Sequence, residues 1–104
     1  MKPSSIAVGV CLTGEHALEL ETFASACGTD AQFVSLLVEE GLVKPVAAEP
    51  TMRFGGEELA RVRRICRLQR DFEANLQTVA VMMDLIDEID RLTAQLQRAG
   101  IAAA

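Results

Sequence analysis

Apolar positions in the first half of the chain recur at helical spacing in two short blocks separated by a glycine. From Glu21 to Pro45 the sequence reads ETFASACGTDAQFVSLLVEEGLVKP. Ala24 offers a small side chain where a second helix crosses the first, and Gly28 suits a turn that needs positive φ. Val34, Leu37 and Val38 stand at i, i+3 and i+4, the inner stripe of a second helix. Asp30 is placed to cap that helix and Gly41 to stop it. Four independent features thus predict a helix-turn-helix.

Around this motif the pattern is less periodic. Residues 1–5 read as a flexible start, and Ile6 to Leu12 as a short β-branched strand that covers or edges the domain. Thr13-Gly14-Glu15 is turn-like, and Ala17 to Leu20 reads as a second strand leading into the first helix. After the second helix, Leu42-Val43-Lys44-Pro45 and Met52-Arg53-Phe54 flank a Pro- and Thr-bearing connection, which predicts a small β-hairpin in the position of a wing. Gly55-Gly56 breaks the chain. A third helix follows from Glu57 to about Glu73, with Leu59, Val62, Ile65, Cys66 and Phe72 as its inner face.

The last helix is the longest, from Leu76 to Arg98 with Asn75 as its cap, roughly 34 Å at 1.5 Å per residue. Val79, Met82, Ile86, Ile89 and Leu96 form one stripe, and Val81, Leu85 and Leu92 a second. A domain of this size covers one stripe, and the other needs a partner helix. Burying each large aliphatic side chain stabilises by ~1.5–3 kcal/mol. The expectation is therefore a homodimer, with Val79, Met82, Ile86, Ile89 and Leu96 at its interface. The chain divides on this reading into 1–74 (strand plus winged helix-turn-helix), 75–98 (terminal helix) and a flexible tail, 99–104.

Composition changes the picture in two ways. The chain has 104 residues, half of them hydrophobic, with four Phe and neither Trp nor Tyr, so the core must be aliphatic. Its formal charge is −5 and its pI near 4.8. A duplex reader normally carries a basic footprint, because phosphate neutralisation supplies most of its affinity, so the balance disfavours direct DNA binding. Residues 51–75 are the exception, with six Arg against four carboxylates. Arg63, Arg67 and Arg70 could form an anion-facing stripe there. A solvated face laced with pairs such as Glu57–Arg61 and Arg67–Asp71 accounts for the same residues.

Chemistry-bearing residues are sparse. Cys11, Cys27 and Cys66 are odd in number and widely spaced, which reads as reduced thiols. His16 is the sole histidine and has no nucleophile or second ligand beside it. No phosphate loop, catalytic constellation or metal-ligand cluster emerges, so neither enzyme activity nor a cofactor or metal is expected. No apolar run reaches the ~18 residues needed to span a bilayer, and the chain is expected to be cytoplasmic. The candidate binding residues are acidic: Asp84, Asp87, Glu88 and Asp90 on the last helix, and Glu39 and Glu40 closing the second. On a DNA reader the exposed side Gln32, Ser35, Glu39 and Glu40 would enter the major groove, where carboxylates face a polyanion.

Ala24, Gly28, Val34 and Leu37, the EEGLVKP ending at Pro45, the hairpin and the Arg-rich helix together resemble the winged helix of the MerR superfamily. Four stretches more specifically resemble CbpM, the chaperone-modulator family: LVEEGLVKP (Leu37–Pro45), Arg53-Phe54, RLQRDFEANLQTVAVMMDLIDEI (Arg67–Ile89) and RLTAQL (Arg91–Leu96). The likeness covers about Glu21 to Leu96. It departs at Met52, where the family tends to have an aromatic residue.

The resemblance implies a mostly α fold: a MerR-like winged helix-turn-helix with short β-hairpins and a long C-terminal dimerisation helix. It also implies a non-catalytic, cofactor-free protein. Such a protein binds the J-domain of a CbpA- or DnaJ-like co-chaperone, inhibits its activation of a DnaK-type chaperone, and suppresses its DNA binding. The family's J-domains present a basic helix, which an acidic surface complements. The alternative is a MerR-like DNA-binding transcriptional regulator.

Overall fold

Among the described residues, two helices begin at a side chain that caps them and one ends on a glycine. The structure, a computed structural model, describes residues 17–100. Helix α1 spans Leu20–Cys27 and closes on Gly28, whose φ of 81° is the left-handed conformation that glycine adopts without cost. The Gly28 N–H donates to Ser25 O and the Thr29 N–H to Ala24 O, both at 3.0 Å. This paired closure satisfies carbonyls that a helix end leaves open. Helix α2 spans Ala31–Glu39, and its first turn is capped by Asp30, whose Oδ1 accepts from the Phe33 N–H at 2.8 Å. The predicted helix-turn-helix is therefore formed at the predicted residues.

Beyond α2 the chain turns at Gly41 (φ 76°), and the Leu42 and Val43 N–H groups both return to Leu37 O, at 2.9 and 3.4 Å. That return corrects one expectation. Leu42 and Val43 are spent on closing α2 and are buried in the core, so they cannot form the first strand of a wing. The wing that exists is a single antiparallel bridge from Ala47 to Arg53, with a cis Glu49–Pro50 peptide in its loop. The Val46 N–H donates to Arg53 O at 2.9 Å and the Arg53 N–H to Ala47 O at 2.8 Å.

Arg53 also opens strand β2 (Arg53–Phe54), which pairs antiparallel with β1 (Leu18–Glu19), Leu18 opposite Phe54 and Glu19 opposite Arg53. The strand expected at Ala17 to Leu20 is thus present in its central residues. Its partner is the strand after the wing. The expected strand at Ile6 to Leu12, together with Cys11, His16 and residues 101–104 of the tail, lies outside the described residues.

Helix α3 spans Gly56–Phe72, with the Gly55 N–H donating to Glu58 Oε1 at 2.7 Å in its first turn. The chain forms two compact units, Met1–Arg67 and Leu68–Ala104. In the first, Phe23, Val34, Leu37, Phe54, Val62 and Ile65 are fully buried, with Ala24, Leu42, Val43 and Leu59 around them. No Tyr or Trp contributes, in keeping with the composition.

The second unit holds the end of α3, a turn at Glu73 (φ 49°), and helix α4, Leu76–Arg98. Asn75 caps α4 as expected, its Oδ1 accepting from the Thr78 N–H at 2.8 Å. Phe72 departs from expectation: it ends α3, past the limit of the first unit, and is 64% exposed where an inner-face residue was expected.

Candidate partner-binding surfaces

Among the described residues, two surfaces have the exposure and chemistry to take a partner, one in each unit. The first is the outer side of α2. Val34 and Leu37 hold the inner side at zero exposure, so the helix turns Gln32, Glu39 and Glu40 to solvent, with Ser35 half-buried. Glu39 and Glu40 form no ion pair among the described residues. Among these residues stands Leu36, 40% exposed and not among the residues expected on that side. Its helical phase carries the signal. At 100° per residue Leu36 falls about 160° from Val34 and about 100° from Leu37, off the inner stripe. The outer side is therefore acidic and apolar together, and α2 carries no Lys or Arg to meet a phosphate.

The arginines of the first unit divide by use. Arg53 donates from Nη1 to Ala17 O at 2.9 Å and from Nη2 to Glu19 Oε2 at 3.2 Å, fastening β1. Arg61 donates from Nε to Leu42 O, fastening the chain after α2. Arg63, Arg64 and Arg67 are exposed on α3, and the pair expected between Arg67 and Asp71 is replaced by Arg70 Nε to Asp71 Oδ1 at 3.3 Å. So the net-basic count of this region overstates its free charge, since two of the six arginines serve the fold.

Cys27, at the end of α1, is buried, and burial is the main reason its thiol pKa is pushed up to about 12. The electrostatic influence of Cys66 adds to the rise and that of Arg63 opposes it. Such a thiol is protonated at neutral pH and inert as a nucleophile. Among the described residues no group of three or more His, Cys, Asp or Glu is placed to hold a metal ion, and no helix is long and apolar enough to cross a membrane.

The second surface is α4. Val79 and Met83 are buried, Met82 and Ile86 are half-buried, and Val81, Leu85, Ile89, Leu92 and Leu96 are between 42% and 60% exposed. The two stripes read from the sequence are thus divided differently. Val79 is fully covered within the single chain and has no surface left for a partner, while Ile89 and Leu96 join Val81, Leu85 and Leu92. Met83, absent from both predicted stripes, follows Val79 by one turn.

The four acidic residues of α4 are all exposed but do not share one face: by helical phase they spread over about 160°. Asp84 and Glu88 lie one turn apart beside the apolar stripe, and Asp90 is turned away from both. Arg91 donates from Nε to Glu88 Oε1 at 3.1 Å and from Nη2 to Glu88 Oε2. Hydrogen bonding from Arg91 holds the Glu88 carboxyl below its ordinary pKa.

A protein-family model described as "MerR HTH family regulatory protein" matches residues 18–99. The chain belongs to this MerR family. Within it, the chain is similar to the chaperone modulatory protein CbpM of Coxiella burnetii strains Dugway 5J108-111, RSA 331 / Henzerling II and CbuG_Q212. Identity to each is 26% over 90 residues, covering 86% of this chain and 85% of the relative. These comparisons support the CbpM-like resemblance carried by Leu37–Pro45 and Arg67–Leu96. The match extends from β1 through the wing to the end of α4, so this MerR chain contains the motif together with the elements that brace it. Its relatives are named as modulators of chaperones, a function of a non-enzymatic kind.

Proposed function

We propose that this MerR-family chain is a non-catalytic chaperone modulator, acting as a cytoplasmic homodimer on a DnaJ- or CbpA-like co-chaperone. It binds the co-chaperone's J-domain and thereby inhibits stimulation of a DnaK-type ATPase and the co-chaperone's own DNA binding. The observation that carries this reading is the outer side of α2, where a groove-reading helix would be polar or basic. Here it presents Glu39 and Glu40 without countercharge, and Leu36 among them. Carboxylates directed at DNA phosphates repel, whereas the same surface complements a basic amphipathic helix in both charge and apolar contact.

The relatives' printed name supports the same direction. Asp84, Asp87, Glu88 and Asp90 are secondary candidates. They are dispersed around α4, and Glu88 already has Arg91 as a partner. The test is a side-by-side titration of the full chain against an isolated J-domain and against duplex DNA at physiological ionic strength. Saturable J-domain binding with no duplex retardation is the expected result. Tight, steeply salt-dependent duplex binding with no response to the J-domain overturns the reading in favour of a transcriptional regulator.

A further inference from the structure

We infer that Cys27 and Cys66 form an oxidisable dithiol, closed to a reversible intramolecular disulfide by small anionic disulfides of the oxidised-glutathione class. When oxidised, the pair ties the end of α1 to α3 within the first unit. Three observations lead there.

The first is placement. The two thiols stand 39 positions apart in sequence, yet both belong to the first unit. By helical phase Cys66 falls about 20° from Leu59 and about 40° from Val62, both buried, so it lies on the covered side of α3. Cys27, the last residue of α1, is buried as well. The two sulfurs are close enough for their charges to interact, and the Arg63 charge, one turn before Cys66, also reaches Cys27. Cys27 therefore meets the edge of α3 that carries Arg63 and Cys66.

The second is access. Cys66 is half-buried, so a small reagent can reach its sulfur, whereas Cys27 is covered. Arg63 and Arg67, both exposed, flank Cys66 on α3, and neither forms an ion pair among the described residues. Two guanidinium groups there attract an anionic disulfide to Cys66.

The third is that the bond changes close on these two residues. Cys66 loses its proton to water, and its Sγ attacks one sulfur of the reagent. The reagent's S–S bond breaks and one thiolate leaves. Cys27 then loses its proton, and its Sγ attacks Cys66 Sγ and expels the second thiolate. The protein gives up two electrons and two protons, and the reagent is reduced to two thiols. Burial and the charge of Cys66 together push the Cys27 thiol up to about 12. The Cys66 charge is gone once its sulfur is in the mixed disulfide, while the opposing charge of Arg63 stays. Aligned neighbouring groups also react at effective concentrations of about 10⁵ M or more, which outweighs a roughly thousandfold shortage of thiolate. Towards an outside reagent Cys27 has neither advantage and stays inert.

The test uses the full chain with Cys11→Ser and an anionic aromatic disulfide, dithiobis-nitrobenzoate, whose released thiolate is coloured. Release is expected in two phases, the first proportional to reagent concentration and the second independent of it. The product is a single chain lighter by two hydrogens, with no reagent attached, and dithiothreitol restores it. Cys27→Ala stops after the first phase and keeps the reagent on Cys66. Cys66→Ala loses the fast first phase and reacts at least roughly tenfold more slowly. Arg63→Gln with Arg67→Gln slows the first phase severalfold, and leaves the reaction with uncharged hydroxyethyl disulfide unchanged.

Reagent retained on both cysteines, or on Cys66 alone with no second phase, overturns the pair. Disulfide-linked dimers in place of the lighter monomer do the same. Equal slowing of the charged and uncharged reagents by the arginine changes overturns the assignment to anionic disulfides. The mass of the oxidised Cys11→Ser chain decides the pairing by itself, so a failure of any further variant to fold leaves the test intact.

Discussion

The Phe23 ring on α1 stacks on the Phe54 ring on β2, with centroids 4.4 Å apart and planes within 15° of parallel. Both rings are fully buried. Phe54 also stands opposite Leu18 in the two-stranded sheet, one residue after the Arg53 that forms the wing bridge. A single aromatic contact therefore ties the first helix of the motif to the segment that supports the wing. Stacked pairs of this kind are worth ~0.5–1.5 kcal/mol beyond the area they bury.

Phe54→Ala removes that stack and leaves a cavity in an otherwise aliphatic core. Large-to-small changes at fully buried Phe cost ~3–5 kcal/mol, an appreciable fraction of the stability of a small domain. Urea unfolding followed by far-ultraviolet circular dichroism is expected to show a loss of unfolding free energy of that size, with Phe54→Leu losing less. A Phe54→Ala chain as stable as the parent would show that the wing segment is not coupled to the motif.

Helix caps give a smaller and more local effect. Asp30 and Asn75 each accept one otherwise unpaired N–H at 2.8 Å, in separate units. Asp30→Ala and Asn75→Ala should each cost ~1 kcal/mol. Because they share no partner, a double variant should lose close to the sum. Thermal melts of the two single variants and the double variant check both the size and the additivity.

These caps also show what in the fold was legible. Asp30, Gly28 and Asn75 act through hydrogen bonds and backbone conformations within a few residues, so local sequence was enough to place α1, α2 and α4. The wing is less legible, because Leu42 and Val43 have two competing uses for their N–H groups. Pairing in a strand and closing α2 onto Leu37 O are both compatible with that sequence, and tertiary burial selects the second. The division of the α4 stripes is less legible for a similar reason. Periodicity finds apolar positions on a helix but does not say which arc is covered, so the burial of Val79 and Met83 emerges only from the fold. Leu36 on the outer side of α2 could have been found from its phase alone.

Cys27 yields a pH prediction. Its folded pKa of about 12 lies above the ordinary value of 9.0. The unfolded thiol therefore ionises first, and stability associated with Cys27 is intact below about pH 9. It is lost as pH rises from there towards 12. Parent and Cys27→Ala should accordingly converge or cross in stability only above pH 9. At pH 8 the thiolate fraction of Cys27 is lowered about a thousandfold, so a disulfide-exchange reagent should label the half-buried Cys66 well before Cys27. Mass spectrometry of partially labelled protein distinguishes the two sites. Early labelling of Cys27 would mean that the end of α1 opens readily.

The acidic side of α2 makes a prediction in which charge and apolar contact separate kinetically. Glu39 and Glu40 are exposed and unpaired, so their effect on a basic partner is long-range attraction screened by salt. Glu39→Lys with Glu40→Lys should slow association with a J-domain, by tenfold or more at low ionic strength, and should flatten its salt dependence. Leu36 acts only on contact, so Leu36→Ala should leave the association rate within about twofold and speed dissociation, the parameter through which most interface changes act. Asp84→Lys with Glu88→Lys serves as the comparison. If α4 is occupied by a second copy, that change should weaken the dimer more than it weakens J-domain binding. Stopped-flow association at several salt concentrations, with all three variants, separates the outcomes. Should the α4 change slow association while the α2 change leaves it untouched, the docking surface belongs on α4 and the assignment to α2 falls.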